Sequence, residues 1–132
     1  MSTTVLLADD SEVMRKVIRH FLKDDSDIEV LAESANFAQT MLLATKLQPH
    51  VIVLDLHMGD EHAVTPSQIK ASLNGSRLIA MSVWKDDETK IFAETFGAVA
   101  LLDKASLAME LIPAIKRYAQ PEKIQPTTGT LY

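Results

Sequence analysis

Cysteine is absent from this chain of 132 residues, which rules out disulfides, a thiolate metal site and a cysteine nucleophile. Apolar runs are short, and none approaches the roughly 20 residues that a membrane-spanning helix needs. Met1-Ser2-Thr3-Thr4 leads into a strand without the basic flank and apolar stretch of a signal peptide. A cytoplasmic chain with no membrane partner is the expectation. Positive charge is scarce as well: 13 Lys and Arg against 18 Asp and Glu leave a net charge of −5. That argues against direct nucleic-acid binding, which needs a basic surface. No Gly-x-Gly-x-x-Gly follows the first strand and there is no Walker loop, so dinucleotide and P-loop nucleotide binding fail. The chain has no internal repeat, and its length predicts one domain around a single core.

Val51-Ile52-Val53-Leu54-Asp55 is the stretch around which the rest is organised. Pro49-His50 precedes this apolar run and Gly59-Asp60 follows it. Such a run, bounded by turn residues, reads as a strand covered on both faces of a parallel sheet. The other strands are Val5-Leu6-Leu7-Ala8, Ile28 to Ala32 (an edge strand, interrupted by Glu29), Leu78 to Met81 and Val99 to Leu102.

Helices fill the intervals. Ser11 caps the first, where Met14, Val17, Ile18, Phe21 and Leu22 recur at helical spacing, with Arg15, Lys16, Arg19, His20 and Lys23 on a solvated face. Asn36 caps a second helix through Leu47, stopped by Gln48-Pro49. After a polar loop from Gly59 to Thr65, Pro66 starts a third that ends near Asn74-Gly75. Asp86 to Phe96 is the fourth, closed by Gly97, and Ser106 to Tyr118 the last. Pro113 lies inside that last helix, and its missing N–H predicts a kink or break between Met109 and Pro113. Alternation of this kind makes a (βα)5 unit with a parallel sheet and right-handed crossovers, and residues 120–132 read as a tail or the start of an interdomain linker.

The strand ends carry the chemistry. Asp9-Asp10, Asp55, Ser82 and Lys104 follow the first, third, fourth and fifth strands, on the edge where open α/β sheets bind ligands. Three carboxylates together suit Mg²⁺, a hard cation that takes oxygen ligands and keeps several waters. Ionised Asp55 is a carboxylate nucleophile for phosphorus, Ser82 offers a hydrogen bond to a phosphoryl oxygen, and Lys104 offers a charge to another. Taken singly each residue has a plainer meaning. Asp9-Asp10 alone is a helix-start acidic pair, Ser82 a strand-end hydroxyl, and Lys104 a solvated charge. Their convergence carries the functional reading.

Over roughly residues 4–119 the sequence resembles the receiver domain of bacterial two-component response regulators. The resemblance rests on Val5-Leu6-Leu7-Ala8-Asp9-Asp10, Val51 to Met58, Ala80-Met81-Ser82, and Gly97-Ala98 followed by Lys104. It implies a flavodoxin-like three-layer sandwich with strand order 2-1-3-4-5, and residues 1–119 as the receiver. It also implies that Asp55 accepts a phosphoryl group from a histidine kinase or a histidine phosphotransfer protein. Mg²⁺ would be bound by Asp10, Asp55 and the backbone carbonyl of His57, with Asp9 acting through water. Ser82 and position 101 would form the switch, and His57 and Trp84 would border the route by which water reaches the aspartyl phosphate. Switching would act on a downstream protein, on an output domain, or through a homodimer formed on phosphorylation.

Three positions depart from the family pattern. Gly59 stands where a proline is usual, Leu101 where the switch is normally tyrosine or phenylalanine, and Ala105 where a proline often follows the lysine. Leu101 and Pro113 together predict an unconventional output face. Lys104-Ala105-Ser106 resembles the branch whose receivers precede a helix-turn-helix domain. Only a tail follows Tyr118, so the expectation is a stand-alone receiver or the amino-terminal part of a longer regulator.

Two rivals belong to other classes. A magnesium-dependent aspartyl-phosphate phosphatase would want a second acid two residues after its nucleophile, where His57 stands. A receiver-fold interaction module signalling without phosphate is favoured by Leu101 but opposed by the complete reacting set. Neither turnover catalysis nor a transition-metal site is expected, since His57 and His62 lie in a loop without helical ligand spacing. Phe92 and Phe96 read as core.

Overall fold

Val51–Asp55 forms β3, and each of its residues is buried, as a central strand covered on both faces must be. The computed structural model describes residues 2–119. Around β3 lie β1 (Thr3–Ala8), β2 (Ile28–Ser34), β4 (Arg77–Ser82) and β5 (Ala98–Asp103). All pair in parallel, in the order β2-β1-β3-β4-β5. The helices between them are α1 (Glu12–Leu22), α2 (Phe37–Leu47), α3 (Pro66–Leu73), α4 (Asp87–Thr95) and α5 (Leu107–Tyr118). The expected flavodoxin-like (βα)5 sandwich is therefore present, with β2 at an edge as Glu29 suggested.

Side chains alternate across the pleat and so build two cores. Val5, Leu7, Val51 and Val53 meet Ile18 and Leu22 of α1 and Leu111 and Ile115 of α5 on one face. Leu6, Ile52 and Leu54 meet Phe37, Ile69, Ala93 and Phe96 from α2, α3 and α4 on the other. The caps follow the sequence. Ser11, Asn36 and Asp86 side chains accept from Met14 N, Gln39 N and Thr89 N, and Thr65 forms a capping box with Gln68. After α4, Gly97 adopts φ +86, a left-handed conformation that favours glycine.

Several local expectations are corrected. Val17, assigned to the inner stripe of α1, is 38% exposed, because the packed stripe is Met14, Ile18, Phe21 and Leu22 and Val17 falls on its margin. Arg15 does not lie on a solvated face: it is half-buried and paired with Glu33 of β2. The break expected at Pro113 is missing, and α5 runs through it without interruption. Its physical excuse is position. Pro113 and Met109, whose carbonyl loses the bond, both lie on the exposed side, where solvent can replace it, while Leu107, Leu111, Ala114 and Ile115 hold the inner face. The loop before α3 contains a short 3-10 turn at Glu61–Ala63, and another at Lys104–Ser106 delays the start of α5 to Leu107. Phe96 is core, whereas Phe92 is only partly buried. The tail from 120 to 132 lies outside the described residues.

Candidate functional site

A parallel sheet places all its strand carboxyl ends on one rim, and β1, β3, β4 and the turn after β5 bring their terminal residues together there. Asp9 is wholly buried, Asp55 is 3% exposed and Ser82 1%. Lys104 reaches between the two aspartates: its Nζ lies 2.9 Å from Asp9 Oδ2 and 3.2 Å from Asp55 Oδ2. Asp10 stands at the exposed mouth, and ligand atoms of Asp9, Asp10 and Asp55 all fall within 4.8 Å of one another.

The backbone fixes these groups. Ser11 N donates to Asp9 Oδ1 at 2.9 Å, His57 N to Asp55 Oδ1 at 3.0 Å, and Trp84 N to Ser82 Oγ at 3.0 Å. Each of these bonds spans two residues, so each side chain is held by the loop that leaves its own strand. Arg15 adds a brace from α1, donating from Nη1 to the Asp9 carbonyl at 2.7 Å while Nε meets Glu33 at 3.0 Å.

Electrostatics follow from burial. Desolvation pushes the Asp55 carboxyl above the ordinary carboxylate value; the His57 N–H and the Lys104 charge oppose it, and neighbouring Asp9 adds to the rise. For Lys104, desolvation pulls downward, but the bond to Asp9 and the charges of Asp55 and Asp9 outweigh it, so its pKa rises. The rim thus holds more negative charge than one ammonium balances. Asp9 Oδ2 lies 2.9 Å from Lys104 Nζ and accepts no other hydrogen bond among the described residues, so a lone pair remains for a cation or its water. Oxygen donors in this number fit a hard divalent cation.

Beyond the acidic rim, His57 and Trp84 do not face each other across an opening; they touch. Their rings meet edge to face with centroids 4.5 Å apart, and His57 stacks on Phe92 at 6.2 Å. Trp84 remains 56% exposed. The three rings, with Glu61 and Asp86, line an open cavity of about 390 Å³. Among the described residues the only converging group of three or more metal-donor side chains is the acidic trio. Leu101 packs against the core under α4.

Local sequence reasoning missed Arg15, Asp60 and Phe92. Asp60 accepts from the N–H groups of Phe37 and Ala38 at the start of α2. Contacts across 23 and 22 residues leave no periodic signal. Arg15 of α1, which faces β2, is likewise indistinguishable in sequence from its basic neighbours Lys16 and Arg19, the second of which also reaches Glu33, at 2.7 Å.

Comparison with known proteins agrees with this geometry. Residues 5–116 match the family described as the response regulator receiver domain. The transcriptional regulatory protein LiaR of Bacillus subtilis is 34% identical over 119 residues, covering 89% of this chain and 56% of that protein. The response regulator protein VraR of Staphylococcus aureus is 29% identical over 125 residues, covering 94% and 60% respectively. The chain thus spans little more than half the length of these relatives. Among solved structures, the response regulator domain of Thermotoga maritima CheB superposes with a TM-score of 0.79 at 23% identity, covering 96% of this chain and all of that one. The matched span runs from within β1 to within α5 and takes in the whole acidic rim, and the chain belongs to the response regulator receiver domain family, the phosphoryl-accepting modules of two-component signalling.

Proposed function

We propose that Asp55 is the phosphoacceptor, and that Asp10, Asp55 and the His57 carbonyl bind Mg²⁺ directly while Asp9 does so through water. The carrying observation is the half-buried Lys104 ammonium held between Asp9 and Asp55 at 2.9 and 3.2 Å. This is the charge arrangement into which a phosphoryl dianion fits, because it supplies fixed positive charge beside the nucleophile. Bound Mg²⁺ would hold Asp55 ionised against its desolvation and neutralise an incoming phosphate. An Asp55 carboxylate oxygen then attacks phosphorus, forming an O–P bond as the bond from phosphorus to the donor breaks and its electron pair stays with the donor. Lys104 pairs with one phosphoryl oxygen. Ser82 leaves its contact with Trp84 N to donate to another, and that displacement is the switch.

A histidine kinase or a histidine phosphotransfer protein is the donor, and residues 1–119 form the receiver, with 120–132 a tail or linker. Output runs through a partner protein, an appended domain, or a phosphorylation-dependent homodimer; the name of LiaR describes a transcriptional regulator. Receivers are not turnover enzymes as a class. The chain's own catalysis is limited to forming and losing its aspartyl phosphate. Among the described residues no helix is long and apolar enough to cross a membrane.

Acetyl phosphate with Mg²⁺ tests the assignment by intact mass. The wild-type chain is expected to gain one phosphoryl group, and Asp55→Asn to gain none while remaining folded. An unchanged yield in Asp55→Asn would move the chemistry elsewhere. Continuous phosphate release from small substrates would favour the phosphatase reading.

A further inference from the structure

The first turn of α2 is satisfied in an uneven way. Four N–H groups at a helix start have no partner within the helix. Here the Asn36 side chain takes one of them, accepting from Gln39 N at 2.7 Å, while its carbonyl accepts the first bond of the helix itself, from Thr40 N at 3.0 Å. Two more are taken from outside, by Asp60. Phe37 N donates to Asp60 Oδ1 at 2.8 Å and Ala38 N donates to Oδ2 at 3.1 Å, so both carboxylate oxygens sit at the positive end of α2.

Asp60 belongs to the loop that leaves the phosphoacceptor strand. His57 N is fastened to Asp55, Met58 is 6% exposed in the core, and Gly59 N donates to Glu61 Oε1 at 2.7 Å. Gly59, at φ +103, adds no stiffness of its own. A tether on the far side of that glycine must come from a side chain, and Asp60 supplies it.

We propose that Asp60 is a positioning residue: by clamping this loop to α2 it holds the His57 carbonyl in place for Mg²⁺, and it couples metal binding to the first turn of α2. This rests on the metal assignment proposed above. Coupling of this kind is reciprocal, so a bound metal must steady α2 by the same factor by which the clamp tightens the metal.

Three variants separate positioning from simple stability. Asp60→Ala removes the clamp, Asp60→Asn keeps its shape but not its charge, and Asn36→Ala removes the other side-chain cap of α2 without touching the loop. Each loses a cap, so all three are expected to lower Tm. Mg²⁺ titration calorimetry is expected to show Kd raised about five- to tenfold in Asp60→Ala, a coupling of ordinary allosteric size. Asp60→Asn should fall between that value and wild type, and Asn36→Ala should match wild type. Amide exchange at Phe37 and Ala38 is expected to slow on adding Mg²⁺ to wild type and not to Asp60→Ala. Wild-type Mg²⁺ affinity in Asp60→Ala, or equal weakening in Asn36→Ala, overturns the proposal. Loss of Mg²⁺ binding from the wild-type chain itself, or binding indifferent to Asp10→Ala, overturns the metal assignment instead.

Discussion

At the scale of single residues, the rim is a set of side chains each held by the loop that follows it. Asp9, Asp55 and Ser82 all accept an N–H from two residues further on, so the carboxyl ends of β1, β3 and β4 present preset acceptors. Trp84 is the residue whose role this arrangement sharpens. Its N–H is bonded to the Ser82 hydroxyl and its ring lies on His57, two residues beyond Asp55. Movement of Ser82 towards a phosphoryl group would pull on the first contact and through it disturb the second. Adding Mg²⁺ and then beryllofluoride, a phosphoryl mimic, is therefore expected to change Trp84 emission in two steps. Trp84→Ala is expected to shorten the lifetime of the phosphorylated form by about threefold, since removing a ring from the mouth lets water approach in line. Steady emission where binding is shown independently, together with an unaltered lifetime, would confine Trp84 to packing over α4.

At the scale of elements, sequence signals and structure agree wherever a cap or a bounded apolar run decides the outcome. Asn36, Thr65, Asp86 and Gly97 all stand where their chemistry places them. Pro113 is the exception, and it shows packing overruling propensity. The apolar side of α5 buries Leu107, Leu111, Ala114 and Ile115, enough to carry one missing hydrogen bond on the wet side. That bond still has a cost. Pro113→Ala is expected to raise unfolding stability by about 1–3 kcal/mol, less than the full helix-interior penalty of proline because alanine also loosens the unfolded chain. Urea denaturation measures it, and a variant no more stable than wild type would mean that α5 adapts to the proline at no cost.

At the scale of the whole molecule, α5 is also tied by charge to the turn between α1 and β2. Lys116 Nζ lies 3.0 Å from Asp25 Oδ2 and 3.9 Å from Asp27 Oδ2. The Lys116 bond, with help from Asp27 N, holds the Asp25 carboxyl below its ordinary value of 3.8. A carboxylate with a depressed folded pKa lends stability that is fully present above the unfolded value and is lost as pH falls through the folded one. Lys116, raised above 10.5 chiefly by the same bond, lends stability below that value and loses it as pH climbs through the raised one. Lys116→Met should remove the high-pH dependence and weaken the low-pH one, where the Asp27 N–H still acts on Asp25, flattening the stability profile below about pH 4 and above about pH 10.5. Thermal unfolding across pH reads this directly, and a variant profile parallel to wild type at both extremes would show that the pair is silent. Because the Lys116 end of the pair is exposed to solvent the effect is small and salt-sensitive.

Most of the fold was legible in the sequence because its signals are local. Period-two burial, capping side chains and bounded apolar runs depend on neighbours within one element, and they placed every strand and helix described here. So was the acidic rim, since a parallel sheet forces the ends of β1, β3, β4 and β5 to one edge once the alternation is recognised. What only tertiary structure decided are the contacts between residues far apart in the chain. Arg15 was indistinguishable from its basic neighbours until β2 brought Glu33 beside it. Asp60 was one more loop acid until α2 opened its N–H groups towards it. The pairing of His57 with Trp84 and Phe92 needed β3 and β4 to be adjacent and α4 to cross above them. Local spacing carries no record of such pairs, because their geometry is set by how separate elements pack.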